Sequence, residues 1–338
     1  MDAKLQAKCD LLAENFKTVR HSARLDSEYA ASLGALICTG EDARASEADI
    51  RRNRELLRDK VGAFNNLRGN VNVALLCKMS LAKDPEAYLD KVVGAYGALK
   101  QGRVFHSEYE ALAASVMADH ADSIRFDDVA RRTQEVLALM NARHPLLTDS
   151  ADTTVAALLA MSGLDIEATL ADAEKCYETL KDDHFTLAKD ALQSVCMVLA
   201  LGGGMPVEER CARFREIRQA LKDRKERMDA EQLPILAALV DADETPDQVA
   251  AELEEAERYL RGKSGLGGIF GLGRQMRMVL AAAVMLQVKD EARGRVGVVQ
   301  ASGNALAAVI TQQIIEMIIL VSIMTVTATS HMSHSSSN

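Results

Sequence analysis

Apolar residues between Asp84 and Lys100 recur at the spacing of an α-helix, and the same pattern returns between Asp165 and Lys181. In both segments they fall at i, i+3, i+7 and i+10, which places them on one stripe of a helix. The two stripes are Leu89, Val92, Tyr96 and Leu99, and Leu170, Ala173, Tyr177 and Leu180. The opposite face is charged, so each segment predicts an amphipathic helix.

Weaker copies of this pattern bring the total to five. They begin at Asp84, Arg125, Asp165, Pro206 and Thr245, so successive starts are separated by 41, 40, 41 and 39 residues. An acid stands third in every copy, where a carboxylate meets the free N–H groups of the first helical turn. Asp84, Asp165 and Thr245 have the side chains of N-caps. A period near forty residues without strand signals is typical of two-helix repeats.

A more apolar, alanine-rich run precedes each copy, and a sixth run follows the last one. The runs are Val73 to Leu76, Leu112 to Ala114, Val155 to Leu159, Val195 to Leu199, Ile235 to Leu239 and Val279 to Val284. A helix that is apolar all round must be buried, so we expect the amphipathic helices to cover these runs. The pattern therefore predicts an all-α fold, a solenoid-like array of about six helical hairpins.

Two of the copies depart from the pattern in a way that affects packing. Arg218 and Glu257 occupy the position of Tyr96, with Ile217 and Ala256 beside them. We expect those two helices to pack in a slightly different register.

The first 64 residues precede the copies and predict a three-helix N-terminal cap. The predicted helices run from Ala3 to Arg20, from Leu25 to Cys38 and from Glu41 to Phe64. Residues 65–290 then form the helical-repeat body, residues 291–330 an apolar closing segment, and residues 331–338 a low-complexity, disordered tail.

Composition narrows the function classes. A net charge of −9 argues against bulk nucleic-acid binding. The 6 cysteines are scattered without a CxxC pair, which indicates reduced core residues and neither zinc nor disulfides. The N-terminus has no apolar segment typical of a secretory signal. We expect a cytoplasmic protein without a cofactor or a metal centre.

Two kinds of loop carry the candidate ligand-binding residues. The polar turn NNLRGN at residues 65–70 has a glycine suited to a positive φ and an arginine able to hold a ligand carboxylate. The loops after the amphipathic helices bring three histidines toward one edge. The candidate residues are Arg68, Asn70, His106, Glu108, His144, Asp149, His184 and Arg274.

Each candidate also has a structural interpretation. Arg68 could instead tie down a loop carbonyl or an Asp, and the histidines could cap helix ends. Neighbouring helices pack about 10 Å apart, so three successive histidines are too far apart to share one metal ion. No catalytic residue follows from the pattern.

Two further segments invite functional interpretations that the residues do not favour. The glycine-rich loop from Gly262 to Gly273 lacks the Walker spacing, since Glu257 stands where that pattern needs glycine, and no strand precedes it. We expect a mobile connection there. Acidic residues are interspersed in the basic run from Arg210 to Arg227. This mixture favours i,i+4 salt bridges on a solvent-exposed helix surface over a basic patch that binds an acidic partner.

Six segments, in the same order, resemble the uncharacterised bacterial family known as domain of unknown function 4003. They are NNLRGN at 65, SEYEALAA at 107, HPLLT at 144, ALQSVCMVLALG at 191, LPILAAL at 233 and GLGGIFGLGRQMR at 265. In that family an aromatic residue commonly precedes the Arg-Gly-Asn, whereas Leu67 stands here. The resemblance implies a bacterial, cytoplasmic setting and carries over no catalytic residue.

The sequence thus favours a non-catalytic interaction or scaffold protein with a protein partner of unknown identity. The alternative is a small-ligand or metal-dependent enzyme that uses the histidine-bearing loop edge. In the enzyme the loop residues would bind a ligand, whereas in the scaffold protein they would only cap the ends of helices.

The apolar window from Asn304 to Ala328 is long enough to span a bilayer, yet Glu316 stands near its middle. A central acid costs roughly 2.5 to 3.5 kcal/mol on insertion, which offsets the apolar gain. We therefore expect a buried closing helix, with a membrane anchor as the alternative.

Truncation after Gly303 tests this expectation. The full-length protein should fractionate with soluble proteins, and the truncated protein should aggregate because the apolar side of the last hairpin becomes exposed. Full-length protein that only detergent extracts would contradict the buried interpretation.

Overall fold

The computed structural model describes residues 1–24, 26–63, 65–69, 71–101, 108–143, 152–183, 189–201, 205–268 and 271–292. Within these ranges the chain forms fourteen α-helices, two short 3-10 helices and no strand, which confirms the predicted all-α array. The α-helices are α1 (Ala3–Ser22), α2 (Glu28–Gly40), α3 (Glu47–Lys60), α4 (Asn72–Leu81), α5 (Pro85–Lys100), α6 (Glu108–Asp119), α7 (Phe126–Arg143), α8 (Asp152–Ser162), α9 (Ile166–Leu180), α10 (Lys189–Leu201), α11 (Val207–Asp223), α12 (Leu233–Ala238), α13 (Pro246–Arg261) and α14 (Arg274–Ala292). The 3-10 helices span Asn66–Arg68 and Ala230–Gln232.

The described residues divide into two compact units. The N-terminal unit lies within Ala7–Met161 and Lys263–Gly271, and the C-terminal unit within Met1–Gln6, Ser162–Gly262 and Leu272–Asn338. In the N-terminal unit α4 packs against α2, α3 and α5, and α5 packs against α6 and α7. In the C-terminal unit α10 packs against α9 and α12, α11 lies between α9 and α13, and α14 packs against α12 and α13.

The five amphipathic helices begin where the sequence pattern placed them. Helices α5, α7, α9, α11 and α13 each start one residue after the first residue of a copy. Asp84, Asp165 and Thr245 cap three of them by accepting hydrogen bonds from backbone N–H groups of the first turn. In return, the Gln248 side-chain oxygen accepts a hydrogen bond from the Thr245 backbone N–H at 2.9 Å, which completes a capping box.

The same three positions are buried in all five helices, namely the sixth, twelfth and sixteenth residues of each copy. The twelfth residues, Ala95, Val136, Cys176, Ile217 and Ala256, are all 0% exposed. The predicted stripe contained the sixth and sixteenth residues but had the thirteenth, the tyrosine position, in place of the twelfth. These two positions lie about 100° apart around the helix, at opposite edges of one stripe.

The tyrosine position is therefore covered in some helices and open in others. Tyr96 is 4% exposed in α5, whereas Tyr177 is only half-buried in α9 and Arg218 only half-buried in α11. Glu257 is buried in α13, where the Arg277 side chain of α14 donates to its carboxylate at 2.9 Å. Because the sixth, twelfth and sixteenth positions are buried in all five copies, the last two copies share the stripe of the others and do not show the shifted register expected from the sequence; only the cover over the thirteenth position varies.

The six predicted apolar runs lie in α4, α6, α8, α10, the α12 region and α14, and their residues are buried. Within the described ranges no helix is both long and apolar enough to cross a bilayer. The window 304–328 and the tail 331–338 lie outside the described residues. The closing segment and the boundaries after residues 64 and 290 stay predictions.

The N-terminal helices differ from the prediction at their starts. Ser27 and Ser46 are N-caps whose hydroxyls accept from the backbone N–H groups of Ala30 and Asp49, so α2 and α3 begin later than expected. The connection before α3 is held from α1 by Asn15, whose amide donates to the Ala43 carbonyl at 2.9 Å. These caps and this side chain explain why residues 41–46 do not extend α3.

The basic side chains of α11 mostly contact neighbouring elements and not residues one turn away. The Arg213 guanidinium donates to the Val240 and Ala242 carbonyls at 2.7 Å each. Arg215 pairs with Asp183, and Arg224 donates to Asp247 at 3.0 Å. The arginines thus hold successive segments of the C-terminal unit together, and the expected i,i+4 pairing is a minor feature of this helix.

Substitutions in α11 test the buried twelfth position. Ile217→Ala should lower the free energy of unfolding by about 2 to 5 kcal/mol, because the side chain is fully buried and leaves a cavity. The neighbouring Glu216 is exposed, so Glu216→Ala should change it by less than about 0.5 kcal/mol. Urea unfolding measures both, and similar values for the two variants would contradict this register.

Candidate functional site at the 65–72 turn

The polar turn before α4 is built by local hydrogen bonds. The Asn65 side-chain oxygen accepts from the Leu67 backbone N–H at 3.0 Å, and the Gly69 N–H donates to the Asn66 carbonyl at 3.0 Å. Leu67 is fully buried and anchors the 3-10 helix in the N-terminal unit. The position where the resembling family commonly has an aromatic residue is therefore a core position here.

Gly69 is needed for space and not for a positive φ. Its φ is −78°, in the extended region, which corrects the expectation of a left-handed conformation. A Cβ atom at Gly69 would lie 2.2 Å from Oε1 of Glu108. Gly69 thus lies against the side chain of Glu108, which is the first residue of α6 and one of the predicted site residues.

A polar link joins the turn to the N-terminal helices. The Asn72 side-chain amide donates to the Gly69 carbonyl at 2.8 Å and to Oδ1 of Asp26 at 3.1 Å. The other carboxylate oxygen of Asp26 accepts from the Arg54 guanidinium at 3.0 Å. Asp26 therefore ties the start of α4 to α3 while it stands just before α2.

Arg68 has the structural role that the sequence left open as an alternative. Its guanidinium donates to the Val61 carbonyl at 3.4 Å, at the end of α3, and its side chain is half-buried.

Beneath the turn lies a buried pair from α5 and α6. Burial raises the pKa of the Tyr96 phenol, the negative charge of Glu110 raises it further, and a side-chain hydrogen bond with Asn66 opposes the shift. Glu110 is 1% exposed and stands in the first turn of α6, where the helix dipole favours a carboxylate. Tyr96 stays a neutral hydroxyl that supports the turn.

The structure gathers few of the predicted site residues. Glu108 lies against Gly69 of the turn that also carries Arg68, whereas Arg274 belongs to the C-terminal unit and pairs with Glu226. The remaining candidates, Asn70, His106, His144, Asp149 and His184, lie outside the described residues, so the histidine-bearing edge stays a prediction.

The described residues of the turn can hold charge and donate hydrogen bonds. The cations Arg54 and Arg68 and the carboxylates of Asp26 and Glu108 are the groups that recognise a polar or zwitterionic surface. The Asn72 Oδ1 atom is buried and accepts no hydrogen bond from the described residues. Across the described ranges no group of three or more His, Cys, Asp or Glu residues could hold a metal ion.

The glycine-rich loop is a folded connection in its described part. Gly265 and Gly268 have φ values of +87° and +86°, which only glycine adopts readily, and Leu266 between them is fully buried. The Gly267 N–H donates to the Lys263 carbonyl, and Lys263 pairs with Asp10 of α1 at 2.5 Å. The structure therefore shows an anchored loop where the sequence led us to expect a mobile connection, and Ile269 and Phe270 lie outside the described residues.

Sequence reasoning missed the residues that hold the turn from a distance. Asp26, Arg54 and Glu110 lack any local pattern that sets them apart from solvated charges. The only available signal was that Glu110 falls inside an otherwise apolar run, where a charge must find a partner.

Substitution of Asp26 tests the polar link. Asp26→Ala should lower the free energy of unfolding by about 1 to 3 kcal/mol, because the Asn72 amide and the Arg54 guanidinium both lose an acceptor. Asp26→Asn retains an acceptor for Asn72 and should cost less. Chemical denaturation measures both variants, and wild-type stability of Asp26→Ala would show that the link does not hold the turn.

Comparison with known proteins identifies the family of the chain but no activity. The model of the family described as "Protein of unknown function (DUF4003)" matches residues 15–319. No curated protein and no solved structure matches the chain. Because the match covers most of the chain, including the 65–72 turn, the protein belongs to the family of proteins of unknown function DUF4003.

Proposed function

We propose that this protein is a non-catalytic helical-repeat interaction or scaffold protein whose partner is another protein. The observation that carries the proposal is the common register of the five amphipathic helices. Since each copy buries the same positions, each also exposes the same positions, and successive helices present equivalent surfaces.

The exposed positions are charged and contiguous within the C-terminal unit. The third residue of every copy is an exposed acid, and Glu167, Glu208 and Asp247 provide it in α9, α11 and α13. Helix α11 packs against both α9 and α13, so these surfaces adjoin one another. Repeated helical surfaces of this kind are used to bind extended protein partners.

The polar side chains at the 65–72 turn support a binding role over a catalytic one. Asn65, Asn72 and Asp26 donate or accept hydrogen bonds that define the turn, and Arg68 contacts a helix-end carbonyl. The turn is held in one shape by these bonds, which suits recognition. An enzyme built on the histidine-bearing edge remains the alternative, and the cytoplasmic location stays a prediction.

The test reverses charge on the exposed face of α11. Glu209 and Glu216 are both exposed and stand seven residues apart, hence on the same face of the helix. The double variant Glu209→Lys, Glu216→Lys should retain its helical circular dichroism and lose partners that the wild-type protein captures from cells, as measured by quantitative mass spectrometry.

The control is Glu55→Lys, an exposed acid of α3 outside the five copies. It should capture the same partners as the wild-type protein. Equal capture by the α11 variant would contradict this surface. Stoichiometric metal in purified protein that is lost on His144→Ala would favour the enzyme.

A further inference from the structure

Three cations at the end of α11 have no role in the packing of the C-terminal unit. Lys222 stands in the last turn of the helix, Lys225 and Arg227 follow it, and all three side chains are exposed. Arg213 of the same basic run donates to neighbouring carbonyls instead. Among the described residues, no hydrogen bond or ion pair involves the side chains of Lys222, Lys225 or Arg227. The helix dipole accounts for the position of Lys222 alone.

The chain is held in place on both sides of Lys225. The Arg224 guanidinium donates to Asp247 of α13 at 3.0 Å, and Glu226 pairs with Arg274 of α14. Lys225 stands between these two anchored residues and faces solvent. A segment that is already fixed loses little conformational entropy when a ligand binds to it.

Lys225 has a backbone conformation that a lysine adopts only at a cost. Its φ is +60°, in the left-handed region. The Lys225 N–H donates to the Lys222 carbonyl at 2.9 Å, and the Glu226 N–H donates to the Leu221 carbonyl at 2.8 Å, which closes α11 in a Schellman motif. Glycine is the usual residue at this position because it has no Cβ atom. A lysine here gives up stability, which points to a role for its exposed side chain.

We propose that the 222–227 segment is a docking surface for an acidic segment of a partner protein. Lys222, Lys225 and Arg227 form ion pairs with carboxylates of that segment. The inference rests on the proposed function only in taking the ligand to be a protein, and it deepens that function by naming the chemistry of the partner. The surface is distinct from the exposed acids of α11.

The charges around the 222–227 segment favour a short acidic peptide over larger anions. Acids outnumber bases in the sequence of the C-terminal unit, which repels an extended polyanion such as a nucleic acid. Charges more than about 8 Å apart are largely screened at physiological ionic strength, so a short peptide meets mainly the local cations. The carboxylate of Asp223 accepts from the Gln219 amide at 2.7 Å, one turn back along α11. Every residue of the segment is charged, so it has no apolar side chain to insert into a membrane.

Fluorescence anisotropy with a labelled oligoglutamate peptide and the purified full-length protein tests the inference. Lys225→Asn removes the charge but keeps a residue that tolerates the left-handed region, so binding should weaken several-fold while the urea midpoint of unfolding stays unchanged. Lys225→Arg retains the charge and should retain binding. Arg227→Ala in combination with Lys225→Asn should weaken binding further.

Two controls separate this surface from others. Lys83→Asn, at an exposed lysine of the N-terminal unit, should bind the peptide like the wild-type protein. The Glu209→Lys, Glu216→Lys variant should bind it at least as tightly, so a failure here is distinct from a failure of the proposed α11 surface. Equal affinity of the wild-type protein and Lys225→Asn would overturn the proposal. Tighter, Lys225-dependent binding of a single-stranded oligonucleotide or of phosphatidylglycerol vesicles would overturn it as well.

Discussion

The structure depends on the requirement that helices apolar on every side be covered on every side. Stretches of α4, α10 and α14 are buried on every side, namely residues 73–77, 195–201 and 278–286, and water would contact them wherever a neighbour were missing. The amphipathic helices meet this requirement with one apolar stripe each, set by the sixth, twelfth and sixteenth residues of a copy. The third and eleventh residues of a copy are likewise exposed in all five helices, and this repetition supports the proposed interaction surface.

The starts of the five amphipathic helices were predictable from the sequence, whereas the edges of their buried stripe were not. Asp84 and Thr245 mark helix starts by a local interaction. Their side chains accept hydrogen bonds from backbone N–H groups in the first turn of the helix that follows. Whether the twelfth or the thirteenth residue faces the core depends on which neighbour covers that edge. The sequence pattern of Tyr96 and Tyr177 is the same, and each of their helices has the following helix packed against it, yet Tyr96 is buried and Tyr177 is only half-buried.

In the candidate site, too, features set by neighbouring residues could be predicted from the sequence, whereas features set by contacts between distant residues could not. The 65–72 turn could be found because asparagine and glycine cluster there, and Asn65 caps its own 3-10 helix. The reason for Gly69 could not be found, since its partner is the Glu108 carboxylate of α6. The role of Asp26 could not be predicted for a related reason: side chains that meet only after folding leave no periodic pattern in the chain.

Hydroxyl-radical footprinting of the two tyrosines measures the central claim most directly, since it reports the solvent exposure of individual side chains. If the helices share the buried stripe described above, Tyr96 is protected and Tyr177 is modified at a rate several-fold higher, although both hold the thirteenth position of a copy. Equal protection of both tyrosines would contradict the buried faces that the structure gives to α5 and α9.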